Sequence, residues 1–447
     1  MRSPTVSAAL AAFVDRTRWD DLPEAVRHAA RRSLLNGLGC ALGVVGSPAV
    51  AQAWAVHGAV GGVPQATLVG RRERADMPAA SFVNAVAINL LDYDDTHLPT
   101  VIHPTAPVLP PALAFAEAHG LSGQALLGAF ALGAEVACRI GNGVSPGHYA
   151  RGWHITSTCG VFGAAAASAL LLGLDADRTA HALGIAASQS AGLVENLPSA
   201  AKNVSVGSAA RNGLMAALLA QAGYEAAPTA IEGPLGWARA MGDTPDVAAM
   251  LDGLGERWEV SRNTFKPYPS GIVFHAVTDA CLALRSLHDL DPDGIAEIVV
   301  QGDQLLLDRG DRAVNTPRDA RVSIHHTAAG AFLFGSATVA DYESGRVFDP
   351  AMQAFRARVR AELAPELPRG AAHVQVRMVD GRHLAHTVLH PRGSEEHPLT
   401  DVEIEAKVRD CVADGAPGCD AGAVIGAVWD LDAQPDTRRL MAALTPA

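Results

Sequence analysis

Residues 160–172 read GVFGAAAASALLL, a run in which glycine, alanine and serine outnumber the large side chains. Small side chains allow neighbouring helices to approach closely, so we expect this run to be a helix buried against several others. Other runs with apolar residues at helical spacing surround it: 22–45, 79–91, 110–119, 122–140, 177–190 and 207–222. The first 260 residues therefore predict a helical domain, with 66–69 as a lone short strand.

The pattern changes after Trp258. Residues 262–271 contain two prolines and a glycine, which indicates a linker. Beyond it the sequence predicts helices at 272–288, 319–334 and 350–363, a strand at 295–300, and a hairpin of 372–379 and 383–389 around Asp380-Gly381. From Thr400 onward the spacing is helical again.

This order predicts a mainly α protein with a discontinuous large domain. Residues 1–264 and 399–447 would form the large all-helical domain, and residues 265–398 a smaller α+β lid domain inserted between them. We expect the active site in the cleft between the two domains. No glycine-rich nucleotide motif follows a predicted strand, so nucleotide-dependent chemistry is not indicated.

Composition narrows the class of function. The 447 residues are 49% hydrophobic and 18% charged, which is typical of a globular protein. The net charge is −12 and no cluster of lysine or arginine stands out, so a nucleic-acid partner is not expected. The apolar run 161–174 is shorter than the roughly 20 residues of a membrane span. We therefore expect a cytoplasmic protein without a membrane partner.

The few lysines and the cysteines carry information of their own. Lysine occurs only at Lys202, Lys266 and Lys407, and arginine supplies the other basic residues. Each of these lysines is therefore more often needed for the properties that distinguish lysine from arginine. None of the six cysteines forms a C-x-x-C pair, which argues against a disulfide framework or a cysteine metal site.

The densest polar cluster is DYDDTH at residues 92–97, followed by a proline-broken loop that reaches His103. Carboxylates at the C-terminal end of a helix interact unfavourably with the helix dipole, so a role other than stabilising the helix is indicated for these acids. Asp92 and Thr96 would share a face if the helix continued. Three interpretations are open. The acids could orient imidazoles, which is the interpretation we favour. Alternatively, a metal could be bound by Asp94, Asp95, His97 and His103, or the cluster could be a solvated cap.

Four further clusters contain candidate residues. His154 precedes the helix of small residues, which Thr156 or Ser157 could cap, and the start of that helix suits a carboxylate ligand. Lys202 stands before another predicted helix. Lys266 lies in the linker, with His275 one turn into the helix that follows. Of the adjacent His325 and His326, only one can face a given cleft, since neighbours on a helix point about 100° apart. Structural roles remain the alternative for each cluster.

In this order, these clusters resemble the MmgE/PrpD family over nearly the whole chain. The resemblance is carried by 91–104, 148–156, 202–213, 266–275 and 393–400. It implies 2-methylcitrate dehydratase, cis-aconitate decarboxylase or iminodisuccinate epimerase chemistry, a homodimer, and no metal or organic cofactor. The family's pocket residues match Asp92, Thr96, His103, His154, Lys202 and His275. Where relatives often carry a tyrosine, this chain has His326.

From these residues we expect a cofactor-independent lyase acting on a small di- or tricarboxylate. His103 is the first candidate for the general base and His154 the second, while Asp92 would fix a tautomer and His275 would donate a proton. Lys202 would hold a carboxylate. The expected substrate-binding residues are Thr96, Asp95, Thr156, Lys266 and His326. An epimerase of a dicarboxylate such as iminodisuccinate and a non-catalytic carboxylate-binding protein are the alternatives.

Overall fold

A computed structural model describes residues 5–447, and the chain divides into two compact units. Unit 1 comprises the described residues up to Leu90, Asp94–Thr264 and Thr400–Ala447, and unit 2 comprises Leu91–Tyr93 and Phe265–Leu399. Helices account for 57% of the chain and strands for 9%. The prediction of a mainly α protein with a small sheet is therefore confirmed.

Unit 1 is built of helices. Its α-helices are Val6–Arg16, Glu24–Leu42, Pro48–Val60, Met77–Asn89, Thr105–His119, Gly123–Asn142, Gly147–Ala150, Ile155–Leu171, Ala176–Ala187, Ala201–Gln221, Trp237–Met241, Asp401–Gly415, Ala421–Trp429 and Arg438–Ala443. Two small ladders accompany them: Ala66–Thr67 pairs antiparallel with Arg74–Ala75, and Asp95–His97 pairs with Asn263–Phe265.

The helix of small residues, Ile155–Leu171, packs at the centre of unit 1. It contacts the helices Thr105–His119, Gly123–Asn142 and Ala201–Gln221. A Cβ atom added at Gly163 would meet the backbone oxygen of Gly133 at 2.5 Å. Glycine at this crossing therefore lets two helix backbones approach more closely than any side chain would allow.

One helix of the described chain, Gly123–Asn142, is long and apolar enough to cross a membrane, judged by length and composition. From the sequence, the run 161–174 was considered as a possible span and this helix was not. In the structure, 89% of its most apolar 18-residue window is buried. A helix in the core of a protein shows the same degree of burial.

Unit 2 contains a four-stranded sheet and six α-helices. The strands lie in the order Val359–Leu363, Ile295–Gly302, Ala372–Met378 and His383–Val388, the first pair parallel and the others antiparallel. The helices are His275–His288, Gln304–Gly310, Pro317–Ala320, Ile324–Phe334, Ser344–Val347 and Pro350–Arg356. Buried side chains of the first and fourth helices form the core with those of the strands.

Two helices predicted for unit 2 are wrong in extent. The expected helix 350–363 ends at Arg356, and Val359–Leu363 is the strand parallel to Ile295–Gly302. The expected helix 319–334 is broken, because Ser323 begins a new helix by accepting a hydrogen bond from the backbone N–H of His326. Tertiary pairing thus overrides the local helical spacing at 359–363.

Candidate active site

The polar cluster 92–97 does not continue the helix before it. That helix ends at Asn89, and Asp92 has a positive φ of 54°. The condition under which Asp92 and Thr96 would share a helical face is therefore not met. Thr96 instead lies in the short strand Asp95–His97, where its backbone oxygen accepts a hydrogen bond from the hydroxyl of Thr264 at 2.8 Å.

His103 is held in one orientation by three groups of unit 1. Its Nδ1 lies 2.7 Å from the backbone oxygen of Asp95 and 3.1 Å from Oγ1 of Thr96. Its backbone N–H donates to Oγ1 of Thr156 at 3.1 Å. A carbonyl oxygen only accepts, so Nδ1 carries a proton, and in the neutral ring the lone pair is on Nε2. The half-buried ring is thus oriented as a proton acceptor at Nε2.

His154 stands at the start of the helix Ile155–Leu171 and is buried. The hydroxyl of Ser157 donates to the backbone oxygen of His154, and that of Ser205 donates to the backbone oxygen of Lys202. Both hydroxyl oxygens can therefore offer only lone pairs to Nδ1 of His154, at 3.3 and 3.4 Å. These long contacts favour a proton on Nδ1 and a lone pair on Nε2 here as well.

The expected side-chain cap of this helix is wrong. The helix begins at Ile155 with His154 as its N-cap, and no side chain caps it. Thr156, expected as a cap, is the second residue of the helix and accepts the backbone N–H of His103. The structure therefore uses Thr156 to attach His103 to the beginning of the helix, where the dipole favours anions.

Lys202 is inside a helix rather than before one. It is the second residue of Ala201–Gln221, and its side chain is 2% exposed. Its backbone oxygen is bonded to Ser205, whose Oγ also contacts His154. A buried ammonium in the first turn of a helix adds positive charge to the positive end of the dipole, so this place is suited to an anion. The structure thus brings Thr96, His103, Thr156, His154 and Lys202 together in unit 1.

Asp95 faces the protein rather than an open site. Its side chain is fully buried, and Oδ2 accepts hydrogen bonds from the hydroxyl of Thr105 at 2.5 Å and from the amide of Asn263. Burial and the neighbouring charge of Asp94 raise the pKa of Asp95 to about 7. The geometry favours a role for Asp95 in holding the loop in place, rather than the predicted role in contacting substrate.

Unit 2 contains the remaining candidates. The carboxylate of Asp92 lies 3.8 Å from a guanidinium nitrogen of Arg318. Arg321 donates to the backbone oxygens of Leu91 and Pro269, which ties the 91–93 segment to the segment that leads from Lys266 to His275. Lys266 is 2% exposed. Asp92 and Lys266 therefore lie in two segments of unit 2 that Arg321 connects.

His275 is the first residue of its helix, not one turn into it. The ring is buried, stands edge-on to Tyr268 with centroids 5.5 Å apart, and places Nε2 3.4 Å from the backbone oxygen of Ser270. The predicted helix start near Ser270–Ile272 is a 3₁₀ turn, Ile272–Phe274, that leads into the helix proper.

The two adjacent histidines point in different directions. His326 is buried, and its Nε2–H donates to the backbone oxygen of Asp341 at 2.9 Å. Burial lowers the pKa of His326 to about 4, so this ring is neutral at pH 7 and does not hold an anion by charge. His325 contacts Asp311 and the backbone oxygen of Val359.

The residues suggested as metal ligands are used otherwise. Within 5–447 no group of three or more His, Cys, Asp or Glu side chains is placed to hold a metal ion. His97 bonds to Glu259 at 3.0 Å, and the carboxylate of Asp94 accepts the amide of Asn89 at 2.6 Å. Sequence reasoning missed Glu259, because nothing local links it to a residue 162 positions away.

Comparison with known proteins decides the family. Residues 8–250 match the model of the MmgE/PrpD N-terminal domain, and residues 268–431 match that of the MmgE/PrpD C-terminal domain. The chain belongs to the MmgE/PrpD family.

Relatives of this MmgE/PrpD chain include cis-aconitate decarboxylases. The enzyme of Mus musculus is 27% identical over 82% of this chain and 78% of its own length. The enzyme of Homo sapiens is 28% identical over 74% of this chain and 71% of its own length. A cis-aconitate decarboxylase-like protein, oryM, of Aspergillus oryzae is 26% identical over 98% of this chain and 97% of its own length.

Proposed function

We propose that this protein is a lyase that removes CO₂ from cis-aconitate or a closely similar unsaturated tricarboxylate. The observation that carries the proposal is the fixed imidazole of His103, whose Nδ1 is bonded to the backbone oxygen of Asp95. A ring fixed in this way delivers or takes a proton at one atom, Nε2. The cis-aconitate decarboxylases among the relatives favour loss of CO₂ over loss of water.

Substrate binding is assigned to the cationic and donor groups of unit 1. Lys202 pairs with one carboxylate, since a buried ammonium is stabilised by an anion. The first turn of Ile155–Leu171, which no side chain caps, suits a second carboxylate. Thr96 offers its hydroxyl beside the ring of His103.

The reaction needs one proton and no redox partner. The carbon–carbon bond to one carboxylate breaks, CO₂ leaves, and the electron pair of that bond forms a new double bond. The electron pair of the old double bond takes a proton at the carbon next to another carboxylate. His103 in its imidazolium form supplies that proton from Nε2, and water returns one to the ring.

His275 and Asp92, which lie in unit 2, are assigned to the same proposed reaction. His275 serves as a second proton-transfer residue. Asp92 and Lys266 are assigned to the substrate's polar groups. Replacement of His275 by Ala tests this assignment, and unchanged turnover in a folded variant would remove it.

The test of the function is product analysis. Purified protein with EDTA is incubated with cis-aconitate, trans-aconitate, citrate, 2-methylcitrate and an aspartate-derived imine, and followed by proton NMR. We expect a five-carbon unsaturated dicarboxylate from cis-aconitate. A new alkene from citrate or 2-methylcitrate would indicate a dehydratase, and stereochemical inversion of the imine an epimerase. Binding of cis-aconitate without conversion of any compound would indicate a carboxylate-binding protein.

We further propose that the protein acts as a cytoplasmic homodimer. The helix Pro48–Val60 and the loop after it expose apolar side chains, among them Val56, Val60 and Val63, which are 65–79% exposed. Apolar surface of this kind is typical of a contact with another chain. Light scattering of the purified protein is expected to give about twice the mass of one chain, and a monomer mass would contradict the proposal.

A further inference from the structure

The loop between Thr96 and His103 contains a strained turn at residues 97–102. The backbone N–H of His97 donates to the oxygen of Ile102, and the N–H of Val101 donates to the oxygen of His97, both at 2.8 Å. Val101 has a φ of +57°. A β-branched residue rarely adopts this conformation, so the surrounding structure must impose it.

The side chain of His97 forms a hydrogen bond to another residue of the same turn. Its Nδ1 lies 2.7 Å from Oγ1 of Thr100, within the turn, and its Nε2 lies 3.0 Å from Oε2 of Glu259. Both His97 and Glu259 are fully buried. The imidazole therefore connects the turn to a segment distant in sequence.

Glu259 is itself held firmly. Its Oε1 accepts a hydrogen bond from Nε of Arg257 at 2.9 Å. Burial alone would raise the pKa of Glu259, but the hydrogen bonds from His97 and Arg257 outweigh it and hold the pKa well below its usual range. The carboxylate thus stays ionised and accepts a hydrogen bond from the Nε2–H group of His97.

A second buried pair shapes the segment that contains Glu259. Glu135 accepts the backbone N–H of Val260 at 3.0 Å and the Nε–H of Arg139 at 2.6 Å. Arg139 also donates to the backbone oxygens of Asp252, Gly253 and Arg257. The helix Gly123–Asn142 thereby holds 252–260 in place behind His97.

The same helix leaves space for the turn at Gly141. A Cβ atom at Gly141 would lie 2.5 Å from Cδ1 of Ile102 and 3.1 Å from Cγ2 of Thr100. A side chain at this position would force the side chains of Ile102 and Thr100 to shift. The turn is therefore fitted to the helix on one side and bonded to Glu259 on the other.

We infer that His97 is a positioning residue for His103: held by Glu259 and Thr100, it fixes the 97–102 turn and so keeps Nδ1 of His103 on the backbone oxygen of Asp95. His97 acts through the backbone of the turn and takes no part in proton transfer. The inference rests on the proposed function, in which His103 moves the proton.

The first test compares two replacements of His97. His97→Gln keeps an amide N–H near the place of Nε2, whereas His97→Ala removes both contacts. We expect His97→Ala to lower kcat on the order of 10²-fold with KM changed by less than about threefold, since the ring of His103 loses its alignment. His97→Gln is expected to recover most of this loss. Gly141→Ala should lower kcat in the same way by displacing Ile102.

A control separates positioning from general damage. His181 lies in the same unit and accepts the backbone N–H of Ala226, away from the turn. His181→Ala is expected to keep kcat within about twofold of wild type. Urea unfolding curves of all variants show what fraction of each is folded under the assay conditions. If folded His97→Ala retains normal kcat, or His97→Gln is no better than His97→Ala, the inference is wrong.

A second readout does not depend on the reaction. In protein labelled with ¹⁵N-histidine, long-range ¹H–¹⁵N spectra report which ring nitrogen carries the proton, and loss of the signal in His103→Gln assigns His103. We expect a single Nδ1–H form in wild type and a mixture of tautomers in His97→Ala. An unchanged tautomer in His97→Ala would overturn the inference. Expected spectra with no turnover of any polycarboxylate would overturn the proposed function alone.

Discussion

The Nδ1 atom of His103 lies 2.7 Å from the backbone oxygen of Asp95, and this contact sets which ring nitrogen carries the proton. From the sequence, we expected the carboxylate of Asp92 to fix the tautomer. Asp92 belongs to unit 2, where its carboxylate lies 3.8 Å from Arg318. A backbone carbonyl cannot be protonated near neutral pH, so it would keep the tautomer constant in the proposed reaction, in which the ring gains and loses a proton.

Replacement of His103 by Ala removes the proposed proton donor. We expect kcat to fall by about 10²–10⁴-fold, the usual contribution of a general acid or base. The ring is only half-buried, so the thermal unfolding temperature should change little. Steady-state kinetics and thermal unfolding of the same preparation check both statements, and near-normal turnover would remove His103 from the mechanism.

Thr156→Val deletes the hydroxyl that accepts the backbone N–H of His103 while keeping the side-chain shape. We expect kcat to fall about tenfold, because the unpaired N–H shifts the loop that carries the imidazole. Thr158→Val is the matched control on the same helix, since its hydroxyl contacts His148 instead. It should reduce stability and leave kcat close to wild type; equal losses of kcat in both variants would contradict the assignment.

Lys202→Met tests the proposed carboxylate contact. An ionic hydrogen bond contributes about 1.5–3 kcal/mol, so we expect KM for the tricarboxylate to rise by about 10- to 100-fold. Lys407→Met provides the comparison, because Lys407 is also buried in unit 1 but bonds to Oδ1 of Asn36 at 2.7 Å. Lys407→Met should destabilise the protein without raising KM. A rise of KM in both variants would show that the effect is not specific.

The raised pKa of Asp95 predicts that the free energy of unfolding depends on pH. Its pKa is raised from 3.8 to about 7 by burial and by Asp94, so the folded protein holds this proton more tightly than the unfolded chain does. The resulting stabilisation is present below pH 3.8 and is lost as the pH rises through about 7.

Asp95→Asn has no such proton to lose. We therefore expect its unfolding temperature, relative to wild type, to increase as the pH is raised from about 4 to about 8. Glu135, whose pKa burial also raises to about 7, is present in both proteins and cancels in the comparison. A constant difference across this pH range would show that Asp95 is ionised throughout.

Local patterns were sufficient to predict much of the fold. The small residues of 160–172 predicted a buried helix, and Asp380-Gly381 predicted the hairpin that joins Ala372–Met378 to His383–Val388. The strand Val359–Leu363 was predicted as helix, because its partner Ile295–Gly302 is distant in sequence and only the sheet selects the extended conformation.

The candidate site was predictable as residue types but not as contacts. His103, His154 and Lys202 stood out as polar residues in otherwise apolar surroundings. Their hydrogen-bond partners include the backbone oxygen of Asp95 and the hydroxyl of Ser205, which no sequence pattern marks. The partner of His97, Glu259, is equally hidden, because only tertiary structure brings them together.

The most direct test of the account is the fate of a solvent deuteron. Wild-type protein and His103→Ala are incubated with cis-aconitate in D₂O and followed by ¹H and ²H NMR. We predict that wild type gives a five-carbon product with a single deuterium at the carbon next to a carboxylate, and that His103→Ala forms this product at least about 10²-fold more slowly. Product formed at the wild-type rate by folded His103→Ala, or no conversion by wild type, would contradict the account.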